Sequence, residues 1–207
     1  MANPAYDRLL VFSPVMVATW LAFIYAWPRL ILTVYRRAIL GRGLGEGPVP
    51  LNTLYLPPQE FFADPLSLPA SAPAVATTGV NRDTLYTLGW LDLRGGPQML
   101  HVPDMAGRYY SVQLTDPRNN TNFAYVGKRA TGTAAGDYLI SGPGWKGAVP
   151  AGMARISAPT HSVLIIGRVL VESDGDLPTA HALAKRIQLL PWKQAREAPP
   201  TRNGAGS

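Results

Sequence analysis

"RYYSVQLTD", residues 108–116, is the stretch that decides the fold class. Tyr110, Val112 and Leu114 alternate with Ser111, Gln113 and Thr115. Successive side chains of a strand point to opposite faces, so this pattern describes a strand with one face on a core. Six more short apolar runs surround it: "DTLYTLGWLDL" (83–93, with an irregularity at Gly89), "QMLHV" (98–102), "NFAYVG" (122–127), "DYLISG" (137–142), "ARISA" (154–158) and "SVLIIGRVLV" (162–171). Between them stand the turn sequences "PDMAG", "DPRNN", "GPGWKG" and "APTH". About seven strands this short and this closely spaced predict a mainly β chain. An antiparallel sandwich or barrel fits better than alternating strands and helices.

The β unit covers residues 77–192 and ends in a helix. Asp176 can cap it, Pro178 suits its first turn, and Ala180, Leu183, Ala184, Ile187 and Leu190 recur at helical spacing before Pro191 stops it. Residues 193–207 form a polar tail. Residues 41–76 are dense in proline and glycine, which excludes regular sheet. They read as a linker anchored by Leu51, Leu54, Leu56, Phe61 and Phe62, and no internal repeat is visible.

Residues 1–40 are a hydrophobic helix of a different kind. "LLVFSPVMVATWLAFIYAWP", residues 9–28, carries no charge, and about 20 apolar residues suffice to cross a bilayer. Phe12, Trp20, Phe23, Tyr25 and Trp27 would face lipid or a partner, the amphipathic rings sitting near an interface. Arg29, Arg36, Arg37 and Arg42 follow, whereas Asp7 and Arg8 cancel upstream. Positive charge stays on the cytoplasmic side, which predicts a membrane-associated chain with a cytoplasmic body. A periplasmic body is the alternative. The run lacks the basic leader and the cleavage site of a signal peptide. The competing reading is a helix packed on a sheet or on a partner.

Composition narrows the function classes. Charged residues make up 15% of the 207 residues and apolar ones 47%, against a usual charged share of about a quarter. The formal net charge is +6. Its arginines adjoin an apolar run instead of interleaving with stacking aromatics, so nucleic acid is not an expected partner. Zero cysteines exclude disulfides, thiolate metal sites and cysteine nucleophiles.

Four longer strings, "NRDTLYTLGWLDL", "VPDMAGRYYSVQLTD", "NFAYVGKRATGTAAGDYLISGPGWKGAVPAG" and "APTHSVLIIGR", resemble the bacterial family of domain of unknown function 1254 over roughly residues 77–192. "AFIYAWPRLIL" is similar to that family's opening helix. The resemblance implies a β-rich domain of no established activity, followed in longer relatives by a second β domain, in proteins that look secreted or envelope-associated. Against that pattern this chain stops near Ser207 and extends its opening helix upstream. The first departure implies a separate chain supplying the second domain, or a surface that the second domain would otherwise cover, and the second departure implies membrane attachment. If "AFIYAWP" packs on the β unit, it cannot also cross a bilayer.

The string "NRDTLYTLGW" concentrates polar groups. In one version Asp83 is an acid or base and Arg82 or Tyr86 holds an anion, with Tyr109 and His101 completing a small-ligand or enzyme pocket. In the other, Asp83 caps the chain or pairs with Arg108 or Arg168, and pairing alone accounts for the charges. The structural version is preferred, and no catalytic residue is assigned. The glycine-rich stretch 131–147 lacks the Gly-Lys-Ser/Thr ending of a phosphate loop, and Trp145 with Lys146 forms a plug or a rim. His101, His161 and His181 lack the spacing of a compact metal site. Ser111, Ser141 and Ser162 lack a nucleophile-elbow context. No metal or cofactor is therefore expected. The preferred function is a non-catalytic accessory subunit held to a membrane or an integral membrane protein.

Overall fold

All seven expected strands form, close to the expected bounds: β1 (Thr84–Asp92), β2 (Gln98–Val102), β3 (Tyr110–Asp116), β4 (Thr121–Gly127), β5 (Gly136–Ser141), β6 (Ala154–Ser157) and β7 (Ser162–Leu170). This computed structural model describes residues 14–43, 47–58 and 83–192. The expectations placed on Phe12, on Phe61 and Phe62, on Arg82, and on the tail 193–207 lie outside them.

With an eighth strand, β8 (Gln188–Pro191), the seven strands make two four-stranded sheets, ordered β1-β7-β3-β4 and β6-β5-β2-β8. The first is antiparallel throughout. The second is antiparallel except at β5–β6, which pair parallel. The two sheets stay separate, so the fold is an open sandwich and not a barrel. Leu85, Leu91, Leu100, Val102, Tyr110, Val112, Leu114, Val163, Ile165 and Val169 fill the space between them.

The C-terminal region corrects the expectation. Helix α2 (Leu177–Arg186) ends before Ile187, which turns to an extended conformation. The eighth strand, β8, then pairs with β2. Ile187 and Leu190 are therefore not helical. Ladder hydrogen bonds to β2 and burial of Leu189 outweigh one further helical turn. Pro178 does lie in the first turn, but Asp176 makes no side-chain cap. Its carboxylate takes the Arg108 guanidinium through two oxygens, at 2.5 and 2.7 Å.

Residues 47–58 run along the free edge of β1. Tyr55 bridges Leu88, Asn52 N–H donates to the Trp90 carbonyl at 2.8 Å, and Asn52 Oδ1 accepts from Asp92 N–H at 2.8 Å. Leu54 and Leu56 pack on the core, whereas Leu51 is exposed. The irregularity expected at Gly89 does not form, since β1 pairs with β7 in unbroken register through it; the glycine serves a close approach instead, because a Cβ there would stand 2.7 Å from the Thr53 carbonyl oxygen. Glycine lets the linker cross the sheet edge.

Gly167 has a similar role inside the first sheet. It sits opposite Thr87, and an added Cβ would meet Thr87 Oγ1 at 2.1 Å. Gly167→Ala should cost about 1–3 kcal/mol, the usual range for overpacking. Most of that cost should disappear in a Thr87→Ala background. A double-mutant cycle by chemical denaturation checks this, and additive effects would contradict it.

Candidate functional site

The longest helix, α1 (Pro14–Arg42), divides into two halves with different surroundings. Every residue from 14 to 27 is exposed, including Trp20 (59%), Leu21 (62%), Ile24 (61%) and Tyr25 (68%). It is the one helix among the described residues long and apolar enough to cross a membrane, by length and composition. Trp20, Phe23 and Trp27 form an aromatic row, with Phe23 and Trp27 stacked at 5.1 Å. The hydroxyl of Thr19 donates back to the Val15 carbonyl at 2.8 Å, so its polarity is met within the helix.

The second half docks. Leu32, Tyr35, Ile39 and Leu40 cover Trp90, Leu164 and Ile166 on the outer face of the first sheet. The Tyr35 and Trp90 rings lie 5.6 Å apart, and Ile39 is 1% exposed. The packed-helix reading therefore holds for the second half only, while residues 14–27 are exposed. Arg29 marks the division. Its guanidinium lies 3.9 Å from the Tyr25 ring and donates to the Tyr25 carbonyl at 2.8 Å. Arg37, one position past Arg36, is exposed.

The direction of α1 follows from its contacts. Arg36 reaches the region of Asp92, Ile39 packs with Trp90, and Gly43 lies beside Tyr55, the partner of Leu88. The helix therefore descends along β1 from Asp92 toward Leu88. Its exposed half leaves from the end of the sandwich where β1 finishes and β7 starts. At that end lies an open cavity of about 410 Å³, lined by Arg36, Asp92, Arg94, Arg118, Thr160 and His161 among others. Arg94 grips Asp92, with Nε at 2.9 and 3.1 Å from the two carboxylate oxygens. The Arg94 guanidinium and then its backbone N–H hold the Asp92 carboxyl down at about 2, with a smaller contribution from Arg36. Arg36 Nε is sealed from solvent with no hydrogen-bond partner among the described residues. The Arg118 backbone N–H donates to the buried Asp116 carboxylate at 3.0 Å, which also lies 3.0 Å from the Thr160 hydroxyl.

Of the residues expected to share a pocket, Asp83, Tyr86, Tyr109 and His101 are described, and His101 stands apart from the two tyrosines. Tyr86 lies on the outer face of the first sheet with the Arg168 guanidinium 5.5 Å from its ring. Tyr109, Arg129 and Arg168 line a second open cavity, of about 440 Å³. Tyr86 and Tyr109 are therefore linked through Arg168. His101 stands elsewhere. Strand alternation in β2 turns Leu100 and Val102 into the core and His101 to the outer face of the second sheet. There its Nδ1 meets cross-strand Asp137 at 2.7 Å. Asp83 is exposed, and its carbonyl accepts from Val171 N–H. Arg108, offered as its partner, is held by Asp176 and the Leu170 carbonyl.

Other candidates have structural partners. Arg155 lies 5.0 Å from the Trp145 ring and donates to the Trp145 carbonyl, while Lys146 is exposed. His181 Nε2 lies 3.2 Å from the Pro57 carbonyl, tying α2 to the linker. Among the described residues no three His, Asp or Glu side chains gather as a metal site would need. The basic cavity was missed because its residues come from α1 and from loops far apart in sequence. The one local signal was the break from alternation at Trp90-Leu91, which marks a strand covered on both faces.

Together these features define a β-sandwich carried on an apolar helix. Residues 65–191 match the family described as Protein of unknown function (DUF1254), and the chain belongs to that family. No curated protein matches it. Its fold is similar to the crystal structure of the VPA0106 protein from Vibrio parahaemolyticus, with a TM-score of 0.61 and 22% identity over 88% of this chain. The chain spans only 41% of that protein's length. An uncharacterised protein from Burkholderia cenocepacia aligns at a TM-score of 0.40 and 12% identity, over 79% of this chain and 40% of its own.

The Asp92 carboxylate lies far below its ordinary value of 3.8. A lowered folded-state value adds stability that is complete above the ordinary value and is lost as pH falls through the folded one. The stability difference between wild type and Asp92→Asn should be constant above about pH 4 and close toward pH 2. Denaturant titrations across that range check it. A gap that persists unchanged at pH 2 would contradict the assignment.

Proposed function

We propose that this chain is a membrane-associated accessory protein. The first half of α1 enters a bilayer or an integral membrane partner, and the second half carries the sandwich. One observation bears most of the weight: residues 14–27 are apolar and exposed on every side. Isolated exposed apolar residues are ordinary on soluble proteins, but a helix bare all round is not. A helix satisfies its own backbone hydrogen bonds, so lipid can replace water around it. Arg29, Arg36, Arg37 and Arg42, with no acidic residue in α1, favour a cytoplasmic body. The sandwich supplies rigid faces for a neighbouring protein.

Fractionation tests the reading. The full chain should sediment with membranes, resist an alkaline carbonate wash and dissolve in detergent. Leu21→Arg with Ile24→Arg, at positions that touch no core residue, should move it to the soluble fraction with the fold intact. Recovery of wild type as a detergent-free monomer would overturn the reading. Sidedness has its own readout, because the chain has no cysteine. A Lys146→Cys variant should resist an impermeant thiol reagent in intact cells and react after lysis.

A further inference from the structure

The cavity beside Asp92 lies at the end of the sandwich from which the apolar half of α1 projects. Three arginines line it, against one carboxylate. That carboxylate is already engaged by Arg94. Arg36 acts on Asp92 only as a minor charge and its Nε has no acceptor among the described residues, whereas Arg118 is exposed at the cavity wall. Arg36 is placed by helix docking and not by an acceptor. Arg36 Nε is closed to solvent and does not open into the cavity; what favours an anion there is the excess of positive charge in the lining. His161 adds a ring nitrogen at the rim. Planar guanidinium groups match phosphate oxygens in geometry as well as charge. A cavity of about 410 Å³ exceeds what inorganic phosphate fills and lies in the ordinary range for a small organic ligand.

Depth along the helix agrees. Arg36 lies seven residues beyond Arg29, about 10 Å along the axis at the α-helical rise. Helical side chains lean toward the N-terminus, here toward the apolar half. With the hydrocarbon ending near Pro28, the cavity mouth would border the headgroup layer.

We infer that Arg36, Arg94, Arg118 and His161 form a binding site for a phosphate group on a small organic molecule, either a lipid headgroup or a free phosphorylated compound. The lipid source rests on the membrane reading, whereas phosphate binding does not.

The test uses the full chain in an uncharged detergent. In one arm its unfolding temperature is followed against inorganic phosphate, with potassium chloride at equal ionic strength as control. In the other the chain is placed in discs of phosphatidylcholine with or without phosphatidic acid. A rise of several degrees beyond the salt control is expected in at least one arm, and the responding arm identifies the source. Arg36→Gln and Arg118→Gln should each weaken the response about ten-fold, the scale of one charge-assisted hydrogen bond. Asp92→Asn should strengthen it by releasing Arg94. If Arg36→Gln fails to fold, the exposed positions Arg118→Gln and His161→Gln carry the comparison. No shift in either arm, with the protein folded, would overturn the site. It would leave the fractionation result untouched, so the two readings fail separately.

Discussion

The contact on which the rest of the structure depends is the apolar patch of Trp90, Leu164 and Ile166 under Tyr35 and Ile39. It covers β1 and β7 on the face turned away from the sandwich core. Both strands are thereby buried on two sides, which explains why "GWL" and "VLII" abandon strict alternation. Large apolar side chains buried this way contribute on the order of 1.5–3 kcal/mol each. Trp90 keeps its indole N–H without a partner there, at a cost of about 1–3 kcal/mol. Area burial outweighs that loss. The same contact sets the path of α1, so the placement of every arginine on it follows from one patch of sheet.

Beyond the patch the outer face of the first sheet is polar. The Arg168 guanidinium donates to Gln113 Oε1 at 3.0 Å, and Gln113 donates to Asn122, which in turn accepts from Thr115. Tyr86 lies beside Arg168 at one margin of this network. Its interlocking partners account for Arg168 without a ligand. The outer face of the second sheet pairs His101 with Asp137. Each charged group here answers a neighbour on the next strand. The cavity beside Asp92 differs, because its cations arrive from separate elements.

Much of the fold was legible in the sequence because local period reports local structure. Tyr110, Val112 and Leu114 alternate, and they point into the core. β8 was not legible, since "QLLP" continues the helical spacing of Ala180 and Leu183. Only the waiting edge of β2 makes it a strand. Parallel pairing of β5 with β6 left no mark either, because strand direction is set by loops and not by composition. Of the candidate site, Arg36 was visible as a basic residue after an apolar run. Arg94, Arg118 and His161 were not, as nothing in their neighbours says that three loops converge. His101 was placed in the wrong company for a related reason: its strand was right, but its sheet was not knowable.

Pro28 sits inside α1, just before the docked half begins. A proline removes an N–H, so the Ile24 carbonyl loses its intrahelical bond. The helix is thus weakest where its greasy stem meets the folded body. A sideways tug on the stem would be taken up by bending at that joint, leaving the grip of Ile39 on Trp90 undisturbed. Stem and body can then take different tilts while remaining one continuous element.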